Sequence, residues 1–200
     1  MADIHLRLPA TEQQIRTLKA GDIVYLTGTL FTARDEAHLR ALELKKEGKA
    51  LPVDFGTGAL YHCGPIMKKE GEGWAIVAAG PTTSSRMNTL EVEFMERTGA
   101  RLIIGKGGMN KAVGEAMKRL GAAYLAFTGG AAVLAAQRVR KVKGVQWLDL
   151  GMPEAVWILD VEEFGPLTVA MDASGASLFE VVAKTIEKNA AEARRRLGIG

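Results

Sequence analysis

From Trp74 onward the chain repeats one texture, and that texture restricts the fold more than any other property. Short unbroken apolar runs, Trp74-Ala75-Ile76-Val77-Ala78-Ala79, Leu102-Ile103-Ile104 and residues 122–127, alternate with helical stretches over 90–97, 110–120 and 131–139. Apolar runs this short suit strands covered on both faces, and strands separated by helices suit parallel pairing. Further strands are predicted over 145–150, 155–161 and 167–171. A closing helix over Leu178–Leu197 carries Phe179, Val182 and Ile186 on one stripe. The first part reads differently. Ile4, Leu6 and Leu8 alternate with polar residues as in a half-buried strand, a short turn or helix follows Thr11, and 22–26 is a second strand. Thr32 is expected to begin a helix running to about Gly48, with Asp35 as its capping-box partner. Residues 52–55 and 59–63, around Gly56-Thr57-Gly58, are expected to form a hairpin-like pair. The expectation is a single α/β domain over residues 1–200, a mixed sheet with flanking helices.

Hydrophobic residues make up 48% of the 200, enough for a real core. No apolar run approaches the roughly 20 residues needed to span a bilayer. Met1-Ala2-Asp3-Ile4-His5-Leu6 has no basic region followed by an apolar one, so no signal peptide is expected and the setting is read as cytoplasmic. A net charge of +3 suits anionic ligands but is weak support for nucleic acid. The densest basic stretch, Arg138-Val139-Arg140-Lys141-Val142-Lys143, reads as a solvated turn without the interleaved aromatics of a single-strand platform. With one cysteine, Cys63, no intramolecular disulfide can form, and an iron–sulfur cluster would find at most one thiolate. His5, His38 and His62 lack zinc spacing. A metal centre, if one participates, must be held mainly by another chain.

Two loops carry chemistry, each expected at the C-terminal end of a buried strand, where open α/β sheets bind ligands. Gly80-Pro81-Thr82-Thr83-Ser84-Ser85-Arg86-Met87 has four consecutive hydroxyls and an arginine before a predicted helix. Helix N–H groups, hydroxyls and a guanidinium fork can together hold a carboxylate. An ordinary Ser/Thr-rich cap with an exposed arginine stays open. Gly105-Lys106-Gly107-Gly108-Met109-Asn110 adds a point charge among glycines. It is no phosphate loop, because Gly107 rather than Ser or Thr follows Lys106 and Gly99 stands one position too early. A tight left-handed turn is its plain alternative. If the two strands are neighbours, Arg86 and Lys106 could clamp a small dianion.

At these residues the chain resembles a known family. Thr32-Ala33-Arg34-Asp35-Glu36-Ala37-His38, Tyr61-His62-Cys63-Gly64-Pro65, Gly80 to Met87, Ile104-Gly105-Lys106-Gly107-Gly108-Met109, Gly151-Met152-Pro153-Glu154-Ala155-Val156-Trp157, and Phe164-Gly165-Pro166-Leu167 with Asp172 resemble, in order, the beta subunit of two-subunit class I fumarases and L(+)-tartrate dehydratases. That subunit is equivalent to the C-terminal domain of single-chain class I fumarases. The resemblance implies a swivelling β/β/α domain and a 4Fe–4S cluster carried by a partner alpha subunit. It implies Thr82 as the proton-transfer residue, with Arg86 and Lys106 binding substrate carboxylate and Thr83 as a supporting donor. A neutral threonine is a poor base, so that role needs local activation or a relay. Arg34, Asp35 and His38 are candidates to line the inter-subunit cleft, with capping and surface pairing as alternatives. His62 and Cys63 read as packing at a strand end. Glu154 reads as a cation's partner or a strand-edge charge. Met87, Met109, Met117 and Met171 read as core filler.

The expected function is therefore that of the beta subunit of a class I fumarate hydratase. It would hydrate fumarate to (S)-malate with its alpha partner, in a hetero-oligomer of two-fold symmetry. L(+)-tartrate dehydratase and a non-catalytic dicarboxylate-binding module are the alternatives. No metal held by this chain alone, no nucleic acid and no membrane are expected.

Overall fold

The computed structural model describes residues 3–199, without the side chain of residue 191. Met1 and Ala2 of the expected leaderless N-terminus, and Gly200 of the expected 1–200 unit, lie outside it. The elements follow one another as β1 (Asp3–Arg7), α1 (Glu12–Thr17), β2 (Ile23–Thr32), α2 (Asp35–Lys46), β3 (Ala59–Tyr61), β4 (Ile66–Glu70) and β5 (Gly73–Ala78). Then come α3 (Glu91–Thr98), β6 (Leu102–Gly105), α4 (Lys111–Leu120), β7 (Ala123–Ala126), α5 (Ala132–Gln137), β8 (Val139–Gln146), β9 (Val156–Met171) and α6 (Leu178–Leu197). No described helix is long and apolar enough to cross a membrane.

Seven strands form a mixed sheet in the order β1-β2-β3-β6-β7-β9-β8, parallel from β1 to β7 and antiparallel at β9. The α/β class and the mixed sheet are as the sequence texture indicates. β9 also pairs with β2, from Ile23 opposite Thr168 to Phe31 opposite Ile158, so the sheet curls onto itself. Bulges in the β2–β9 and β8–β9 pairings give this 16-residue strand its bend.

Alternation along the short strands divides the apolar residues between two cores. Tyr61, Leu102, Ile104, Ala123 and Leu125 point into a cluster with Leu26, Leu30, Trp157, Leu159 and Phe164. Leu60, Ile103 and Tyr124, one residue out of step, point to the other face. There they meet Ala37, Ala41 and Leu42 of α2, Phe94 and Met95 of α3, and Val113 and Met117 of α4. Burial on both faces is why these strands read as unbroken apolar runs. Met87, Met109, Met117 and Met171 are all buried, as expected of filler.

Several boundaries differ from expectation. Thr32 does not start a helix: it ends β2, and its hydroxyl donates to the Ala155 carbonyl and accepts from the Trp157 N–H, so it tethers β9. α2 begins after Arg34 with no side-chain cap, whereas the capping box is on α1, between Thr11 and Gln14. Residues 52–63 make no hairpin. Phe55–Thr57 is a 3-10 turn, and β3 pairs in parallel with β2 and β6. The run at Trp74 is no member of the main sheet. β4 and β5 form a separate antiparallel ribbon, with Trp74 edge-on to Trp157 and Val77 exposed. The basic stretch from Val139 to Lys143 is strand β8, paired to β9, where Arg140 meets Glu162 and Lys143 meets Asp160. Phe179 in the first turn of α6 packs on the core, while Val182 and Ile186 of the predicted stripe are exposed.

A candidate carboxylate-binding active site

The parallel strands β2, β3, β6 and β7 point the same way, so their C-terminal ends share one edge of the sheet. That edge delivers Arg34 and Asp35 after β2, His62 to Gly64 after β3, Lys106 after β6, and the Gly129 turn after β7. The segment from Pro81 to Ser84 comes from the separate ribbon but is threaded between the ends of β3 and β6. Thr82 N–H donates to the His62 carbonyl (2.7 Å), Lys106 N–H to the Thr82 carbonyl (3.2 Å) and Ser84 N–H to the Lys106 carbonyl (3.0 Å). The two loops are thus joined as bridged pairs, Cys63 with Pro81 and Thr83 with Lys106. The neighbourhood arises by insertion rather than through adjacent sheet strands, because β5 lies outside the main sheet.

Along this ladder Thr82 is half-buried and Thr83 exposed. Neither the Thr82 hydroxyl nor the Lys106 ammonium has a hydrogen-bond or ion-pair partner among the described residues. The Lys106 side chain runs beside Gly129. Arg86 lies one 3-10 turn beyond Thr83, within Ser84–Met87, rather than at the start of α3. An α-helix N-terminus is therefore not what this loop offers to an anion. The Arg86 guanidinium meets Asp35 twice, Nε to Oδ1 at 3.2 Å and a terminal nitrogen to Oδ2 at 3.0 Å. With half the Arg86 side chain exposed and only one edge of the fork engaged, its other N–H groups stay open to an acceptor.

Arg34 is more deeply set. It pairs with Glu154 at 3.2 Å, and Glu154 also accepts from Glu36 N–H, supplying the cap that α2 otherwise lacks. A terminal nitrogen of the Arg34 guanidinium lies against Gly64, where an added Cβ would come within 2.7 Å of it and 2.8 Å of the Pro153 carbonyl, so this approach requires glycine. Arg34 and Asp35 therefore stand on the same rim as Thr82, Arg86 and Lys106. His38 does not. It is fully buried, because it falls on the inward face of α2 with Ala37, Ala41 and Leu42 rather than on the edge that presents Arg34. Asp172, part of the resembling set, is engaged in the turn after β9, accepting from Ala20, Ser174 and Ala176 N–H groups.

Beneath the rim is a polar cluster that the sequence reading missed. His62 Nε2 lies 3.0 Å and His38 Nε2 3.5 Å from Glu91 Oε2, all three residues being wholly inaccessible to solvent. Behind His62, Nδ1 is 2.9 Å from Ser84 Oγ, which also accepts the Tyr124 hydroxyl at 2.9 Å. Burial by itself would raise the Glu91 carboxyl, but the two imidazoles outweigh it and hold it at about 2. The signal was readable: Glu91 shares a helical stripe with Phe94 and Met95, an acid on a face otherwise meant for the core.

As for metals, Cys63 is fully buried and burial pushes its thiol well up, so the chain presents no thiolate to a cluster. The residues present do not fit an iron–sulfur centre as ligands.

Comparison with known proteins follows the same geography. A family model described as Fumarase C-terminus matches residues 1–182 and thus takes in every strand and both loops. The putative L(+)-tartrate dehydratase subunit beta of Methanocaldococcus jannaschii is 50% identical over 177 residues, 88% of this chain and 91% of that protein. The L(+)-tartrate dehydratase subunit beta of Escherichia coli K12 is 44% identical over 173 residues, 86% and 85% of the two chains. The putative fumarate hydratase class I of Geobacillus stearothermophilus is 42% identical over 183 residues, 91% of this chain but 34% of that protein. With the matched stretch running from the first residue past the last strand, the chain belongs to the fumarase C-terminus family.

Proposed function

We propose that residues 1–200 act as one unit, the beta subunit of a class I fumarate hydratase, hydrating fumarate to (S)-malate in the cytoplasm with an alpha subunit that carries a 4Fe–4S cluster. The observation that supports it most is the backbone ladder in which Thr82 bonds to His62 and Lys106 and Ser84 closes back on Lys106, so that the main chain bearing the Thr82 hydroxyl is fastened to that of Lys106, whose ammonium is unpaired, on an open edge. Lys106 and the free edge of Arg86 bind the substrate carboxylates, and Asp35 fixes the plane of the Arg86 fork. Thr83 adds a donor, and Arg34, backed by Glu154, lines the cleft toward the partner. The cations also stabilise the charge that builds beside a carboxylate when the neighbouring C–H proton leaves. Thr82 Oγ1 is the group that takes that proton while passing its own hydroxyl proton to an acceptor beyond the described residues of this chain, and the same exchange runs in reverse during hydration.

A second reading, L(+)-tartrate dehydratase, is favoured by the names of the two relatives that this chain matches over most of their length. It differs by one substrate hydroxyl, which the partner's half of the cleft would meet. Assembling the full chain with its alpha subunit under anaerobic conditions, and comparing kcat/KM for malate and L(+)-tartrate, tests both. Malate turnover is expected. A tenfold preference for tartrate would install the second reading. No turnover of either, with tight calorimetric binding of malate to this chain alone, would make it a non-catalytic dicarboxylate-binding module. Sizing of the assembly checks the expected two-fold hetero-oligomer.

A further inference from the structure

The buried His38–Glu91–His62 cluster reaches the segments that carry Arg34, Thr82, Arg86 and Lys106. His38 Nδ1 is 2.7 Å from the Arg34 carbonyl, on the residue that opens α2. His62 gives its backbone carbonyl to Thr82 and its ring to Ser84, and Ser84 in turn sits where a side chain on Gly105 would be, 1.9 Å from such a Cβ. Lys106 follows directly. Arg34, Thr82, Arg86 and Lys106 are thus all within a few bonds of a residue in this network.

Its protons can be counted. A carbonyl only accepts, so His38 Nδ1 must carry a hydrogen toward Arg34. An ionised Glu91 oxygen only accepts, so His62 Nε2, 3.0 Å from it, carries the His62 hydrogen, and Nδ1 then accepts from the Ser84 hydroxyl, which in turn accepts from Tyr124. His38 Nε2, still unaccounted for, faces the same carboxylate oxygen. As a bare lone pair it would confront an anion inside the protein, with Nε2 of both rings and both Glu91 oxygens lacking any other partner. One more proton resolves it.

The geometry points to His38 and His62 as positioning residues for the proposed hydro-lyase site, closed onto Glu91 as an imidazolium–carboxylate–imidazole cluster in which His38 carries hydrogen on both nitrogens. Glu91 is suited to its place in the first turn of α3, where the helix field favours an anion. The cluster is neutral overall, buried and fixed in direction at each end, by Arg34 at one and by Ser84 and Tyr124 at the other. It sets where Thr82 stands relative to Lys106 without touching substrate, and this role rests on the hydro-lyase reading.

Two measurements test it independently. The chain has only three histidines, so long-range proton–nitrogen correlation spectra of the full chain labelled at histidine, at neutral pH, resolve each ring. His38 is expected with both nitrogens protonated and His62 as the Nε2–H form, with exposed His5 as reference. A neutral His38, or one equivalent of zinc retained after dialysis, would overturn the proton-closed cluster. In the assembled enzyme, Glu91→Gln is expected to lower kcat about tenfold to hundredfold, the size of effect a displacement near 1 Å produces, with KM within about threefold. The double variant His38→Gln, Glu91→Gln removes both charges together and is expected to recover part of that loss. A Glu91→Gln enzyme that melts earlier but turns over normally would make the cluster merely structural. If the unaltered complex acts on neither malate nor tartrate, the hydro-lyase reading falls while the spectral result stands by itself.

Discussion

Two layers of charge lie within a few ångströms of each other at the strand ends, and they obey different physics. On the rim, Arg86 is half-exposed and pairs with a partly exposed Asp35, so water still screens the pair and it contributes about 1 kcal/mol to stability. Beneath it, Glu91 and two histidines are cut off from water, where an unmatched charge costs several kcal/mol and only complete pairing is tolerated. The rim can therefore exchange partners, as a binding surface must. The cluster cannot, as a scaffold must not. On the proposed function, ligand binding falls to one layer and geometry to the other, and each prediction below asks whether a residue belongs where it has been put.

The largest effect is expected at the rim and in activity alone. Arg86→Ala in the assembled enzyme should lower kcat/KM by on the order of a thousandfold, about 4 kcal/mol of transition-state stabilisation. Its melting temperature should stay within about 2 °C, because the side chain is half-exposed and its one partner, Asp35, still reaches water. A large fall in melting temperature would move Arg86 into the scaffold.

Next is the acid limb of stability, which isolates the cluster. The Glu91 carboxyl is held at about 2 against an ordinary 4.5. The folded state binds this proton less readily than the unfolded chain. The stabilisation is therefore complete above about pH 4.5 and disappears as pH falls through about 2, amounting to about 3 kcal/mol. Denaturation of wild type and Glu91→Gln at a series of pH values should show a gap that narrows between pH 4.5 and 2. A gap of constant width would mean the carboxylate is not ionised in the fold.

Gly105→Ala tests the contact between the layers. The new methyl would meet Ser84 Oγ at 1.9 Å with the Tyr124 hydroxyl and His62 Nδ1 close behind. Overpacking of this kind costs about 2 kcal/mol, or a fall of about 4–8 °C for a chain of this length. Because Lys106 is the next residue, KM should rise as well. Stability loss with unchanged KM would uncouple the ammonium from the packing beneath it.

The same contrast explains what the sequence disclosed. The α/β texture was legible because alternate residues of β3, β6 and β7 enter two cores, leaving unbroken apolar runs. Thr82, Arg86 and Lys106 were legible as two contiguous loops of hydroxyls, glycines and cations. The insertion of residues 81–84 between β3 and β6 was not, since the run at Trp74 is apolar for another reason: it covers Trp157 from a separate ribbon. Nor was the cluster. His38, His62, Ser84, Glu91 and Tyr124 come from five places along the chain, and each looks ordinary alone. Placing His38 beside Arg34 on the cleft followed sequence proximity. Arg34 instead precedes α2 in extended conformation and reaches the rim, while His38 lies within the helix on its buried face.

The smallest effect is the most discriminating within the rim. Asp35→Asn keeps the side chain's size and removes its charge, so stability should change by under about 0.5 kcal/mol. For substrate binding two consequences oppose each other. Losing the carboxylate frees Arg86 of a competitor and removes a negative charge near the incoming dianion, a repulsion of about 1 kcal/mol or less in water-exposed surroundings. It also releases the guanidinium from its two-point hold, and arginine has about 2 kcal/mol of rotamer entropy to regain. Orientation outweighs repulsion at this exposure, so KM for malate should rise about threefold to tenfold with kcat little changed. The rise should persist at high salt, where only the Coulomb contribution is screened. A KM that falls instead, and falls less as salt increases, would show Asp35 acting as a competing ligand for Arg86 rather than as its guide.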